Sequence, residues 1–90
     1  MIVRRHYVFY GRVQGVGFRF TAYQKAIQYQ LTGWIRNTYD GHVEAIFQGE
    51  EEYIKDLVRY LHSDSYIYID HMDIKNMDIL NNEKSFEIKY

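Results

Sequence analysis

The chain has 90 residues, enough for one domain with a thin core, because a domain of this size buries only roughly 60–65% of the surface its unfolded form exposes. Its charges nearly cancel, at a net −1, and no basic stripe of the kind that grips a polyanion is present, so nucleic acid is not an expected partner. There is no cysteine for a disulfide or thiolate metal site, and no apolar run reaches the ~18 residues of a membrane span or has the form of a leader peptide. One domain over residues 1–90, cytoplasmic and monomeric, is the expectation.

Residues 2–10 are rich in β-branched and aromatic side chains and predict a strand. Gly11 to Gly17 is a glycine-punctuated turn. Residues 18–30 contain no glycine, and Phe18, Ala22, Ala26 and Tyr29 recur near helical spacing, with Tyr23 and Ile27 flanking them; this predicts an amphipathic helix. Residues 31–37 predict a second short strand, closed by Thr38-Tyr39-Asp40-Gly41, where Asp-Gly between two strand-like runs signals a hairpin. Residues 42–48 predict a third strand, with Val43, Ala45 and Phe47 on one face and His42, Glu44 and Gln48 on the other.

Glu50, Glu51 and Glu52 suit the positive start of a helix, which then carries Ile54, Leu57, Val58 and Leu61 at the i, i+3, i+4, i+7 spacing. Residues 66–75 predict a fourth strand whose apolar phase shifts between Ile67/Ile69 and Met72/Ile74, as a bulge near Asp70-His71 would require. A polar turn at Asn81-Asn82-Glu83-Lys84 leads to a last strand in which Phe86, Ile88 and Tyr90 alternate. The order βαββαβ plus a terminal strand predicts an α+β, ferredoxin-like two-layer sandwich, its sheet mostly antiparallel and both helices on one face.

Between the first strand and first helix lies Gly11-Arg12-Val13-Gln14-Gly15-Val16-Gly17-Phe18-Arg19. A glycine-rich turn at that place can curl its N–H groups inward, and the helix start adds more N–H groups and a positive dipole end. Arg19 can add a planar fork of donors. The stretch is not a Walker A loop, since no lysine follows Gly17, nor a dinucleotide fingerprint, since the spacing from Gly11 is wrong. Spacing alone leaves two readings open, a phosphate cradle or a plain β–α connection beside a surface arginine. Asn37 likewise reads either as a turn former or as a polar group at a site.

The same stretch, G-x-V-Q-G-V-x-F-R, resembles the signature of the acylphosphatase family, with every fixed position present. Gly33-Trp34-Ile35-Arg36-Asn37-Thr38 and Asp40-Gly41-His42-Val43-Glu44 resemble its second motif, with one Val-to-Ile change, and the closing Phe86, Ile88 and Tyr90 agree as well. The chain departs from the family pattern at residues 63–69, where a Gly-Pro-rich turn is replaced by Ser-Asp-Ser-Tyr-Ile-Tyr-Ile. The resemblance implies that Arg19 binds phosphate, that residues Gln14, Gly15, Val16, Gly17, Phe18 and Arg19 supply the cradle, and that Asn37 orients a nucleophilic water. Arg19 and Asn37 would then be the catalytic pair. The implied small molecules are an acyl phosphate and inorganic phosphate, with no metal and no cofactor.

The chemistry is consistent with so few groups. A carboxylate leaving group needs no protonation, because its parent acid has a pKa near ~4. Phosphoryl transfer then asks for positioning and for charge on the equatorial oxygens. The histidines at 6, 42, 62 and 71 follow no metal-ligand spacing, and Trp34, Arg12 and Arg36 read as packing or solvated residues. An alternative within the resemblance is a non-catalytic phosphate- or carbamoyl-phosphate-binding relative, akin to the first domain of hydrogenase-maturation carbamoyltransferases. Those are long zinc-binding chains, so a free-standing hydrolase is the expectation.

Overall fold

The computed structural model describes residues 1–90. Its elements are β1 (Ile2–Arg12), α1 (Phe18–Gln28), β2 (Thr32–Asn37), β3 (Val43–Glu50), α2 (Glu51–Ser63), β4 (Tyr68–Met77) and β5 (Phe86–Lys89). One sheet takes the strands in the order β4-β1-β3-β2-β5. Its pairings are antiparallel except β2 with β5, which are parallel. No helix is long and apolar enough to cross a membrane.

Both helices pack on one face of this sheet. Phe18, Ala22 and Ala26 of α1 and Ile54, Leu57 and Leu61 of α2 are buried against Tyr7, Phe9, Ile35, Val43, Ala45, Phe47 and Phe86. Two small alanines on α1 let that helix lie close to the strands, and aromatic rings fill the space beneath: Phe9 meets Phe18 at 4.9 Å and Phe47 stacks on Phe86 at 5.4 Å. The bulge expected near Asp70 is present. Tyr10 pairs with His71 and Gly11 with Ile69, which leaves Asp70 as the extra residue.

Several boundaries differ from the sequence reading by one or two residues, β1 for instance running on to Arg12, and in α1 and β4 the reason is local. Helix α1 stops at Gln28 rather than continuing to 30, because Gln30 turns left-handed (φ 57°) and Leu31 N–H closes back on the Ala26 carbonyl at 2.8 Å. Strand β3 starts at Val43 and runs on through Gly49 to Glu50, where the chain enters α2 directly. Strand β4 begins at Tyr68, not 66, because Asp64 accepts a hydrogen bond from Tyr66 N–H at 2.8 Å and holds Tyr66 in the preceding turn.

The second face of the sheet is less open than the alternation in β3 predicts. Ile46, paired between Trp34 and His6, and Gln48 are buried there, and the segment 78–85 crosses over Gln48 at one end of that face. Gln48 donates to the Leu80 carbonyl at 3.1 Å and accepts from Leu80 N–H at 2.9 Å. Arg4 donates to Gln48 at 3.1 Å and forks onto Glu83 at 2.7 and 3.3 Å. The rest of the face carries polar contacts, among them the Arg36–Glu44 ion pair at 2.6 Å and hydrogen bonds between His6 and Glu44 at 2.7 Å and between His71 and Asp73 at 2.8 Å. Trp34 lies on this face as well, its ring under Lys89 Nζ at 4.8 Å.

Candidate active site

The loop from β1 to α1 is pinned at both ends by core residues, Val13 and Phe18. Between them the backbone alternates into left-handed conformations at Gly15 (φ 74°) and Gly17 (φ 77°). A Cβ at either position would meet nothing within 4 Å, so backbone conformation, not space, calls for glycine here. A left-handed conformation costs other residues about 1–2 kcal/mol. Such alternation turns successive N–H groups toward one side and forms an anion-binding concavity. None of the N–H groups of residues 14–17 donates to another backbone group.

Helix α1 continues the same donor surface. Gly17 is its N-cap, no side chain caps it, and no acidic residue stands in its first turn. The first-turn N–H groups and the positive end of the helix dipole are therefore uncompensated. Arg19 projects from that turn. Arg4, Arg5, Arg36 and Arg59 are each engaged by a carboxylate, but Arg19 is not. Its guanidinium rests over the Tyr90 ring, 5.1 Å from the centroid, a contact that steadies the group without neutralising it.

Asn37 is the last residue of β2 and pairs with Val43. The alternation along β2 places it on the helix-covered face with Ile35, and it looks into the cleft beside the loop. Its side-chain amide is half-buried and has no hydrogen-bond partner in the protein. The turn after it is fixed: Thr38 N–H donates to the His42 carbonyl at 2.8 Å, and His42 N–H donates to Thr38 Oγ1 at 3.0 Å. Gln14 then ties this turn to the loop, since its Nε2 donates to the carbonyls of Thr38 and His42 at 2.9 and 2.8 Å.

Together these elements enclose a cleft of about 190 Å³. Its polar side is Gly15, Gly17, Arg19 and Asn37, its floor Val13 and Phe18, and its remaining wall Phe20, Ile88 and Tyr90. No side-chain carboxylate, imidazole or thiol lines it. A loop of free N–H donors with an unpaired guanidinium has the chemistry to receive a tetrahedral oxyanion, and a free amide at the same cleft can hold a second polar molecule beside it.

Comparison with known proteins covers the stretch of chain that holds these residues. A family model described as Acylphosphatase covers residues 5–88. The chain belongs to the acylphosphatase family. An acylphosphatase from Picrophilus torridus is 43% identical over 84 residues, covering 93% of this chain and 99% of that one. Another, from a Nostoc species, is 48% identical over 62 residues, which are 69% of this chain and 61% of that relative. The crystal structure of acylphosphatase from Bacillus subtilis superimposes with a TM-score of 0.88 at 28% identity, all of each chain being covered. The family makes this chain a hydrolase of acyl phosphates with a ferredoxin-like fold.

Of the residues that the acylphosphatase resemblance singles out, Gly15, Gly17, Phe18, Arg19 and Asn37 meet at the cleft. Gln14 and Val16 do not line it with their side chains. Gln14 is spent on the hairpin, and Val16 packs against the edge of the core. Trp34 stands on the opposite face of the sheet. Sequence reasoning missed the tether made by Gln14 and the wall made by Phe20, Ile88 and Tyr90. The one signal for the wall was Phe20 itself, a large aromatic out of phase with the buried stripe of α1.

Proposed function

We propose that the chain hydrolyses acyl phosphates at this cleft by direct attack of water on phosphorus, with Arg19 and the N–H groups of residues 14–19 holding the phosphate and Asn37 placing the water. The water oxygen forms a bond to phosphorus as the bridging P–O bond breaks, and the electron pair leaves on the carboxylate. The water proton passes to a phosphate oxygen, so the products are carboxylate and inorganic phosphate. No side-chain acid is needed for a leaving group with a parent pKa near ~4. A phosphate monoester would need one, and the cleft has none. Nor does it offer the carboxylate or histidine ligands that would fix a metal ion there.

The observation that carries this reading is that Arg19 and Asn37, both without a polar partner in the protein, face one cleft beside a run of free N–H donors. We further read the chain as one cytoplasmic, monomeric domain over residues 1–90. A single buried cluster spans sheet and helices, and the coverage of the Bacillus subtilis chain is complete in both directions. The test is hydrolysis of an aromatic acyl phosphate against a phosphate monoester, with excess chelator. The expected result is rapid loss of the anhydride alone. Asn37→Ala lowers turnover by on the order of 10²–10³ with the inhibition constant of phosphate nearly unchanged, whereas Arg19→Ala weakens both. Full turnover in Asn37→Ala would remove that residue from the mechanism.

A further inference from the structure

The rest of the cleft lining is apolar, and for Phe20, which is not part of the core, the fold gives no structural reason. Phe20 follows Arg19 in the first turn of α1. The buried residues of that helix are Phe18, Ala22 and Ala26, so position 20, roughly 200° around the helix from Phe18, faces away from the core. The residue is 60% exposed and lines the cleft. It forms none of the aromatic pairs that knit the core. Ile88 reaches the cleft because β5 pairs in parallel with β2, Ile35 opposite Ile88, and Tyr90 follows two residues on along the same face.

An acyl phosphate has one dianionic end and one acyl end. Once the phosphate takes the N–H groups and Arg19, the acyl group meets what is left of a cleft of about 190 Å³, which is Phe20, Ile88 and Tyr90. Burying an apolar acyl group there removes apolar surface from water on both partners, whereas acetyl is too small to reach far along such a wall. A charged acyl group would find no counter-charge, since Arg19 is the only ionised side chain on the lining. We propose that Phe20, with Ile88 and Tyr90, forms an acyl-group subsite that makes the chain selective for acyl phosphates with aromatic or branched apolar acyl groups. This rests on the hydrolytic reading above.

The test compares kcat/KM for benzoyl phosphate and acetyl phosphate in the wild-type chain and in Phe20→Ala. Because Phe20 is largely exposed and outside the core, this substitution leaves folding intact. The expected result is a wild-type preference for benzoyl phosphate that falls by about tenfold in the variant, mostly through KM, equivalent to ~1.4 kcal/mol. Inhibition by inorganic phosphate should move by less than about twofold. A preference unchanged in Phe20→Ala overturns the subsite, and so does an equal loss on both substrates, which would place Phe20 in support of the phosphate loop. If the wild-type chain hydrolyses neither compound, the hydrolytic reading fails instead. Competition against bound phosphate then decides the subsite: it stands if benzoyl phosphate outcompetes acetyl phosphate and Phe20→Ala removes the advantage, and falls otherwise.

Discussion

Gln14→Leu separates what holds the loop from what binds the ligand. The substitution keeps the approximate volume and removes the donor that joins the loop to the hairpin after Asn37. Neither carbonyl is orphaned by the loss, since Thr38 O still accepts from Gly41 N–H at 3.3 Å and His42 O from Thr38 N–H at 2.8 Å. The cost is therefore two ordinary net hydrogen bonds without a desolvation penalty, about 1–2 kcal/mol in all. For a domain of this size that lowers Tm by roughly 5–12 °C. The larger effect falls on turnover. The proposed phosphate donors and Asn37 belong to different elements, and a displacement of about 1 Å between reacting groups costs on the order of 10²-fold in rate. Urea unfolding gives the first quantity, and kcat/KM on an acyl phosphate the second. Inhibition by phosphate should stay within about threefold, because the loop N–H groups and Arg19 remain. Full turnover alongside the stability loss would show that loop and Asn37 are placed independently. Unchanged stability would show that the two hydrogen bonds do not form in solution.

Three further outcomes follow from the scaffold. Gly33→Ala would put a Cβ 1.9 Å from the Ile46 carbonyl oxygen at a residue with φ of 131°, on a strand paired on both sides, so stability should drop by about 3–4 kcal/mol in denaturant titration. Glu83→Ala leaves the Arg4 guanidinium, 8% exposed, with Gln48 as its remaining partner, and about 3 kcal/mol should be lost with kcat/KM within twofold. For Glu44, burial alone would push the carboxyl up, but hydrogen bonds and charge from His6 and Arg36 overcome it and hold the group below the usual carboxylate range. A carboxyl lowered by folding contributes stability that is complete above its unfolded pKa and is lost as pH falls through its folded value. The stability gap between wild type and Glu44→Gln should therefore be full at pH 6–7 and shrink below about pH 5 in unfolding titrations; a gap that widens in acid would contradict the assignment.

The parts of the fold legible in the sequence were those in which one physical effect dominated locally. Helix α2 carries Ile54, Leu57 and Leu61 at helical spacing and buries all of them. The phase shift in the fourth strand located the Asp70 bulge because side-chain period admits no other remedy. Where two effects competed, propensity misled: Tyr66 and Ile67 have strand-forming side chains, yet Asp64 captures Tyr66 N–H and keeps both in a turn. Gln48 looked like a solvent-facing residue because its cover, Leu80, comes 32 residues later. The cleft divides the same way. Its loop, Arg19 and Asn37 stand out as local patterns, whereas Ile88 and Tyr90 reach the cleft only through the parallel pairing of β5 with β2, which no window of sequence contains.

The division of labour along the sheet explains how a thin core can carry a charged site. At one end, Arg4, Gln48 and Glu83 form a buried polar clasp, which lowers stability sharply if any partner is lost. At the other end, the cleft uses backbone donors at a helix start and one half-buried guanidinium, none of which must be taken fully out of water. In β3 these two ends are Gln48, beside Arg4, and Val43, beside Asn37, and five residues of strand set them roughly 17 Å apart. Effects at that distance with no shared partner add independently. A chemistry that needed a buried acid in the cleft would have to desolvate a second charge in the same small core. In the mechanism we propose, the carboxylate leaving group removes that need, so that a loop, one arginine and one amide suffice.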